Sequence, residues 1–577
     1  MRGDPKGSVS RAPRKGRGPK GKGRGAGGPA ATPTARPAST EPDAALPLRL
    51  LGLAAILAAA LVATLPTLRY QFLNWDDSVY VLDNPWIRSW SWENLSHIFT
   101  KPYFSNFLPL HLLSYSVDYS LWGLKPFGYH LQQVVLNALN ALLCFAVVRR
   151  LLGSAWVAVL AGLFFALHPS HVEAVAWISS RKEILSTTFL LLSVIFYLQA
   201  RTGRTLRLVP YAASIVAFAL GLLSKLSVIT VPLFFLLVDA LAAKQPRWDG
   251  KFWREALVNK IPYAATGLVA LRLNMGAQVT AQAAYAHDPL QYLMVKGHAV
   301  WKYLALLAGL RANSPDYDTP ALAASFLPIV LNLAGLLILP AIVWIAVRRA
   351  YRSLALGAGW IFAMLLPVLV FPLVTYMAER YLYAPSLGFC WVLGAGIVAL
   401  GGRAPAGGTR VAAIAGIALI PLTLFAYRTT VYNPVWAESE TLWTYAMGRS
   451  KDYRVYANLA QVRITQKRYE EAERLLKLSV KVENVTSYRS LAALYYDTQR
   501  YPEAMTAIEK ASEILARKGN DPMEQAELYY TRGAIYWVVS QPEKALEAWE
   551  TALQYNPRHG QAREWVEVAR AKASKKP

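Results

Sequence analysis

The feature that most constrains the fold of this chain is a succession of apolar segments between residues 46 and 427. A helix of about twenty apolar residues is long enough to cross a bilayer. Hydrophobic residues make up 54% of the 577 positions, more than a soluble protein of this size carries. We therefore predict an all-α, polytopic membrane protein with about 11 transmembrane helices. The predicted spans lie near residues 46–68, 131–148, 155–167, 184–198, 208–223, 228–241, 256–271, 326–347, 354–373, 384–400 and 411–426.

Basic residues mark alternate connections between these segments, and the positive-inside rule assigns those connections to the cytoplasm. The N-terminus is then cytoplasmic, and the other connections are extracytoplasmic. These are residues 71–129, 168–183, 224–227, 274–326, 376–383 and everything after 427. Residues 289–310 are predicted to form an interfacial or re-entrant helix pair, because one more crossing would place the basic pair Arg348-Arg349 outside.

The formal net charge of +25 does not indicate a nucleic-acid partner. Much of the excess lies in the first forty residues and in short loops, and no nucleic-acid-binding motif accompanies it. Residues 1–45 are rich in Gly, Pro, Lys and Arg, which predicts a disordered basic cytoplasmic tail. Cys144 and Cys390 both fall inside apolar runs, so neither a disulfide nor a thiolate metal site is expected.

After the last apolar segment, residues 436–570 show a recurring pattern of small and large apolar residues. The pattern is typical of tetratricopeptide repeats, which are helix pairs of about 34 residues. Such repeats stack into an α-solenoid. Three domains are therefore predicted: the tail at 1–45, a membrane domain at 46–427 with an extracytoplasmic loop at 71–129, and the repeats.

The extracytoplasmic connections carry charged and imidazole side chains from distant parts of the chain. Charges at membrane depth are costly and usually face a cavity or a partner. Cations can stabilise the charge on a leaving phosphate, and a carboxylate can take the proton of an attacking hydroxyl. The set therefore predicts a site for a phosphate-containing lipid substrate. Its members are Asp76, Asp77, His168, His171, Glu173, Arg181, Lys182, Glu183, Lys296, Lys302, Glu379 and Arg380.

Structural explanations for several of these residues stay open at this point. Asp76 or Asp77 could cap a helix or form an Asx turn after the first span. Arg380 could pair with Glu379 or extend to the membrane interface. Lys225 is interpreted as an interfacial anchor.

His168 and His171 have a spacing that occurs in metal sites on helices. However, Pro169 follows the first histidine, and Glu173 is misplaced for a zinc-protease motif. No cofactor and no metal site are therefore expected, although metal dependence is left open.

Several motifs occur in an order known from one family. They are Asn74-Trp75-Asp76-Asp77, Pro126-Phe127-Gly128-Tyr129-His130, His168-Pro169-Ser170-His171-Val172-Glu173-Ala174-Val175-Ala176, Glu379-Arg380-Tyr381-Leu382-Tyr383-Ala384-Pro385-Ser386-Leu387-Gly388 and Glu438-Ser439-Glu440-Thr441-Leu442-Trp443. From Leu46 to the C-terminus, the chain resembles the transmembrane and tetratricopeptide-repeat O-mannosyltransferases, the TMTC family. This resemblance implies a GT-C membrane glycosyltransferase fold and a polyprenyl-phosphate-linked sugar donor, with the repeats on the same face as the catalytic loop.

The resemblance also implies roles for individual residues. Asp76 and Asp77 match an acidic pair on the first extracytoplasmic loop, with Asp76 expected to be the general base and Asp77 to support it. The expected ligands of the donor phosphate are Arg181, Lys182 and Arg380. The remaining candidates for the cavity are His168, His171, Glu173, Glu183 and Glu379.

The leading hypothesis is a membrane glycosyltransferase that moves a hexose, with mannose as the first choice, to a protein Ser/Thr or glycan hydroxyl on the extracytoplasmic side. The repeats would bind the acceptor or a partner protein. The short repeat array and the composition favour a protein of the bacterial inner membrane. The alternatives are a non-catalytic membrane-anchored scaffold for envelope or secretion assembly, and a transporter, which the odd span count disfavours.

Overall fold

The computed structural model describes residues 46–104, 106–201, 206–242, 250–275, 288–320, 322, 325–371, 373, 375–518, 522–557 and 559–573. The predicted tail at 1–45 lies outside the described residues. Within them the elements are helices, and the only extended pairing is an isolated bridge between Tyr103 and Asn106. The predicted all-α fold class is confirmed.

Sixteen α-helices precede the repeats in the described part of the chain. Their bounds are α1 Leu46–Thr64, α2 Trp92–Thr100, α3 Pro109–Trp122, α4 Pro126–Leu152, α5 Ala155–Ala166, α6 Val172–Ala176, α7 Arg181–Ala200, α8 Leu208–Ser224, α9 Val231–Ala242, α10 Gly250–Val258, α11 Ile261–Met275, α12 Pro289–Leu307, α13 Phe326–Arg348, α14 Arg352–Val370, α15 Ser386–Gly401 and α16 Gly408–Tyr432.

Length and apolar composition select six of the described helical segments as candidate membrane spans. They are Arg49–Arg69, Pro126–Leu152, Ile178–Ala200, Phe326–Arg348, Arg352–Val370 and Gly408–Trp436. A seventh forms if α5 and Pro169–Ala176, bent by 50°, count as one span, and three further apolar helices are shorter. The chain is an integral membrane protein, and the count of about 11 spans stays a prediction.

Two predicted elements differ from the structure. The expected span at 256–271 covers parts of two helices, α10 and α11, and Lys260 between them pairs with Asp239. The helix pair expected at 289–310 is wrong, since residues 289–307 form the single helix α12, and the interfacial position of this segment stays a prediction. Gly297 of α12 packs so closely on α13 that a Cβ there would lie 1.7 Å from the Asn332 carbonyl oxygen.

The largest apolar core is formed by α1, α4, α5, α7–α9 and α14–α16. Small residues bring its helices close together, as is common where membrane helices pack. A Cβ on Gly388 of α15 would lie 2.5 Å from the Gly357 carbonyl oxygen of α14. This tight bundle fixes the ends of the helices and therefore the loops that carry the candidate site.

The chain beyond α16 is a row of short helices. Their bounds are α17 Ser439–Met447, α18 Tyr453–Thr465, α19 Tyr469–Ser479, α20 Val485–Asp497, α21 Tyr501–Lys518, α22 Pro522–Val538, α23 Pro542–Tyr555 and α24 Gly560–Ala573. Small residues lie where paired helices touch: Gly533 packs against Trp549, and Ala460 and Ala472 are fully buried. The predicted repeats are confirmed, and α18–α24 are called the repeat array below.

Helices α17 and α18 pack directly on the loop that follows α1. The backbone N–H of Gln71 donates to the Ala437 carbonyl at 2.9 Å. The backbone N–H of Asn74 donates to Ser439 Oγ at 2.9 Å, and its side-chain amide donates to the Asn458 carbonyl at 3.0 Å. The start of the repeat array therefore borders the loop that carries Asp76 and Asp77.

Candidate active site

The two adjacent aspartates of the first loop have different environments. Asp77 is fully buried, and its carboxylate accepts hydrogen bonds from the backbone N–H groups of Leu73 and Ser179 and from the Ser179 hydroxyl. Burial raises the pKa of Asp77 to about 6, against the lowering effect of these hydrogen bonds. Asp77 therefore joins the first loop to the start of α7 and does not face open space.

Asp76, by contrast, lines a cavity of about 340 Å³. Its side chain is 21% exposed and lies 4.0 Å from the Lys182 Nζ. The same cavity is lined by Lys225 and Arg380, which lie 149 and 304 positions after Asp76 in the sequence. Of the predicted residues, the structure brings Asp76, Lys182 and Arg380 together on one cavity.

A carboxylate behind the cavity wall pairs with each of two cavity cations. Arg380 forms an ion pair with the fully buried Glu173, and its backbone N–H also donates to that carboxylate at 2.9 Å. Lys225 forms an ion pair with Glu183. Paired charges are far less costly to bury than isolated ones. Glu173 and Glu183 thus act by supporting cations, and the suggested pairing of Arg380 with Glu379 is wrong.

Aromatic rings form much of the remaining wall. Trp75 stacks on Trp177 with ring centroids 4.3 Å apart, and both rings line the cavity. The Arg380 guanidinium lies over the rings of Trp177 and Tyr381, at 5.2 and 4.9 Å from their centroids. Sequence analysis gave no role to Trp177 or Tyr381, although Tyr381 lies within a quoted motif and Trp177 directly follows one.

Arg181 does not reach the cavity, unlike its neighbour Lys182. It is fully buried, forms an ion pair with Asp118 and donates to the Tyr129 carbonyl at 2.9 Å. Its guanidinium also lies 4.5 Å from the centroid of the Tyr115 ring. Residues 181 and 182 begin α7 about 100° apart around the helix axis, and in this bundle Lys182 faces the cavity while Arg181 faces Asp118.

The remaining candidates are buried away from the cavity wall. His168 Nε2 lies 3.1 Å from the Leu307 carbonyl, and His171 Nε2 lies 2.7 Å from Ser386 Oγ. The two imidazoles stack with centroids 5.2 Å apart. Among the described residues, no group of three or more His, Cys, Asp or Glu side chains could hold a metal ion.

Glu379 organises the loop that follows α12. Its carboxylate accepts hydrogen bonds from Asn313 Nδ2, from the Ser314 backbone N–H and from the Tyr317 hydroxyl. Burial, together with the nearby Glu173 carboxylate, raises the pKa of Glu379 to about 8. Glu379 thus fixes residues 313–317, which contact the repeat array.

Two cations of the cavity were missed or misinterpreted from the sequence. Lys225, interpreted as an interfacial anchor, lies between two apolar helices and pairs with Glu183 on the cavity wall. Arg454 of α18 also lines the cavity, although it belongs to the repeat array. The position of Lys225 between two apolar runs could have indicated that it lines a cavity. No local sequence pattern distinguishes Arg454 from the other arginines of the repeats.

Four family models match parts of this chain, one in the membrane domain and three in the repeats. The sequence model of the family described as dolichyl-phosphate-mannose-protein mannosyltransferase matches residues 109–275. Three tetratricopeptide-repeat models match residues 453–486, 485–518 and 526–559.

Individual relatives agree with these matches. Protein O-mannosyl-transferase Tmtc1 of Drosophila melanogaster is 25% identical over 474 residues, covering 64% of this chain and 54% of that protein. Tmtc2 of the same organism is 32% identical over 219 residues, covering 34% of this chain and 22% of the relative. This chain thus spans about half the length of these relatives, or less.

Among solved structures, the chain is similar to ArnT from Cupriavidus metallidurans bound to undecaprenyl phosphate, at 17% identity and a TM-score of 0.39. That similarity covers 88% of this chain and 80% of ArnT. The family match over α3–α11, the three repeat matches and the relatives together confirm the resemblance expected from the motifs. From the membrane domain to the repeats, this chain is similar to proteins of the transmembrane and tetratricopeptide-repeat (TMTC) family.

Proposed function

We propose that this protein is a membrane glycosyltransferase that transfers a hexose, with mannose as the first choice, from a polyprenyl-phosphate-linked donor to a Ser or Thr hydroxyl of a protein. The observation that carries the proposal is the cavity in which the carboxylate of Asp76 shares a wall with Lys182, Lys225 and Arg380. The names of the relatives, protein O-mannosyl-transferases, support the same activity.

The cavity offers the charges that this reaction needs. When the bond between the sugar C1 and the phosphate oxygen breaks, the oxygen keeps the electron pair and negative charge grows on the leaving polyprenyl phosphate. Cations already fixed around that oxygen stabilise the charge without further reorganisation. The cations on this cavity wall are Lys182, Lys225 and Arg380. The Arg380 guanidinium can bind two phosphate oxygens side by side.

Asp76 is suited to be the general base. A hydroxyl that attacks C1 must lose its proton as the new C–O bond forms, and a carboxylate within hydrogen-bond reach can take it. Asp76 is the carboxylate on the described cavity wall, whereas Asp77 behind it is fully buried. Attack from the face opposite the phosphate inverts the configuration at C1.

The apolar part of the wall fits a lipid-linked donor. Leu226, Val368 and Phe371 line the cavity near the end of the candidate span Arg352–Val370. A prenyl chain in the bilayer would follow this side while its phosphate reaches the cations. The lining loops all belong to connections that the distribution of basic residues assigns to the extracytoplasmic side, so we place the reaction there.

A transfer assay with the purified full-length protein tests the proposal. The protein is given polyprenyl-phosphate sugars with a radiolabelled hexose, together with a Ser/Thr-rich peptide. We expect label to appear in the peptide with the mannosyl donor and to be lost with Asp76→Asn. If well-folded protein neither transfers nor releases any of the sugars tested, the glycosyltransferase proposal is wrong and the scaffold hypothesis is favoured.

A further inference from the structure

Arg454, on the first helix of the repeat array, lines the same cavity as Asp76 and Arg380. Its side chain is 26% exposed. The repeat array therefore contributes directly to the wall of the candidate active site.

Two carboxylates hold this guanidinium in place. Nε and Nη2 of Arg454 donate to the two oxygens of Asp452, at 2.9 and 3.1 Å. Nη2 also lies 3.1 Å from Asp316 Oδ1, and the Ser450 hydroxyl donates to the other oxygen of that carboxylate. No hydrogen bond from Nη1 to another described residue accompanies these contacts. The arrangement fixes the plane of the guanidinium and leaves one donor nitrogen for a ligand.

The helix that carries Arg454 has a fixed position relative to the catalytic loop. Asn74 Oδ1 accepts a hydrogen bond from the indole N–H of Trp443 at 2.7 Å, and its Nδ2 donates to the Asn458 carbonyl of α18. The Trp443 ring also packs against Trp75, with centroids 5.0 Å apart. Asp76 and Arg454 are thus held on one frame, as two binding groups for a single reaction must be.

The local charge indicates what Arg454 binds. The Arg454 guanidinium already pairs with two carboxylates, so it has no unpaired positive charge with which to attract a further anion such as phosphate. Lys182, Lys225 and Arg380 on the same wall are better suited to the phosphate. A preorganised N–H donor in a negatively charged setting fits a neutral acceptor oxygen, such as a peptide carbonyl.

We infer that Arg454 binds the backbone of the acceptor polypeptide beside the hydroxyl that Asp76 deprotonates. This inference rests on the proposed glycosyl transfer and adds a polypeptide-binding role for the first repeat. The donor approaches from the side of Leu226 and Val368, while the acceptor approaches from the side of α18. The acceptor site is then composite, with the membrane bundle supplying the base and the repeat array supplying the orienting donor.

Steady-state kinetics with separate variation of donor and acceptor test the inference. Losing a hydrogen bond from a charged donor costs about tenfold or more in binding. We expect Arg454→Gln to raise KM for a Ser/Thr peptide by about tenfold, and to raise KM for the donor much less. Arg454→Lys, which keeps the charge without the planar fork, should fall between Arg454→Gln and wild type.

Arg463→Gln is the matched control. Arg463 lies on the same helix and pairs with Glu440 and Glu471, but it does not line the cavity. The Arg463→Gln variant should have KM values for donor and peptide near those of the wild type. If Arg454→Gln raised donor KM as much as peptide KM, Arg454 would belong to the donor site and the inference would be wrong.

Crosslinking provides a second test that does not depend on turnover. The chain has two cysteines, Cys144 and Cys390, and both are fully buried. Arg454→Cys therefore introduces an accessible thiol for a benzophenone maleimide. We expect this label to crosslink a radiolabelled Ser/Thr peptide. The same label at Gln461→Cys, an exposed position of α18 that does not line the cavity, should not do so.

The outcomes separate the two proposals. Absence of sugar transfer by the wild-type protein would refute the proposed function. Normal transfer by the wild type, with unchanged peptide KM in Arg454→Gln and no crosslink from Arg454→Cys, would refute only the role of Arg454.

Discussion

Asp76 and Asp77 are neighbours in sequence with opposite surroundings: Asp76 lines the cavity 4.0 Å from Lys182 Nζ, whereas Asp77 is fully buried and bound to Leu73 and Ser179. The motif thus combines a carboxylate that is available to a substrate with one that holds the loop in place. Substituting each aspartate in turn should separate chemistry from stability.

We predict that Asp76→Asn lowers transfer by about two to four orders of magnitude, because the amide cannot accept the proton of the attacking hydroxyl. Its thermal midpoint in detergent should stay near wild type, since the side chain is partly exposed. Asp77→Asn is the matched control and should lower the midpoint, because an amide N–H₂ would then face backbone N–H donors. Near-normal turnover by folded Asp76→Asn would contradict the assignment.

Arg380→Lys should impair use of the donor more than use of the acceptor. The lysine keeps the charge and can still pair with Glu173, but it loses the planar fork that binds two phosphate oxygens. We expect donor KM to rise by about tenfold, measured at saturating peptide. A rise confined to peptide KM would show that Arg380 does not bind the phosphate.

Arg181→Gln should behave as a structural variant. The substitution leaves the buried Asp118 carboxylate without its cation, which costs about 3–5 kcal/mol in comparable buried pairs. We expect a smaller yield of monodisperse protein in size-exclusion chromatography and a lower thermal midpoint. The protein that remains folded should have a donor KM near wild type, and a selective rise of donor KM would restore Arg181 to the phosphate site.

The pKa of Glu379 predicts a pH dependence of stability. The folded-state pKa of about 8 lies above the unfolded value of 4.5, so this group favours folding at low pH, and the contribution is lost as pH rises through about 8. The raised pKa of Asp77, about 6, also favours folding at low pH, but this contribution is lost as pH rises through about 6. Between pH 6.5 and 9, the thermal midpoint of wild type should therefore fall more steeply than that of Glu379→Gln. Parallel curves would contradict this prediction.

Sequence analysis was most informative where local pattern determines structure. Apolar length and repeat periodicity predicted the membrane helices and the repeats, and the placement of charges on one set of loops anticipated Asp76, Lys182 and Arg380 on one cavity. It could not tell Lys182 from Arg181, because the side of α7 that faces the cavity depends on helix rotation within the bundle. Both residues are basic and adjacent, so composition does not distinguish them.

Contacts between distant parts of the chain were beyond the reach of sequence. Glu173 pairs with Arg380 across 207 positions, and Arg454 meets Asp316 across 138. Such pairs depend on how the helices and repeats pack together. That packing leaves no local pattern in a single sequence. The neighbouring residue Glu379 was therefore the obvious but incorrect partner for Arg380.

The final prediction concerns Asn74, which positions the catalytic loop without lining the cavity. Asn74→Ala removes the acceptor for the Trp443 indole N–H and the donor to the Asn458 carbonyl, leaving a buried N–H unpaired at a cost of about 1–3 kcal/mol. Because Asp76 lies two residues further on, we expect kcat to fall about tenfold through misplacement of the base, with donor KM nearly unchanged. Ser439→Ala, which removes only the hydrogen bond to the Asn74 backbone, should have a smaller effect of the same kind. If Asn74→Ala lowered the thermal midpoint while kcat stayed at the wild-type value, Asn74 would stabilise the contact between loop and repeats without positioning Asp76.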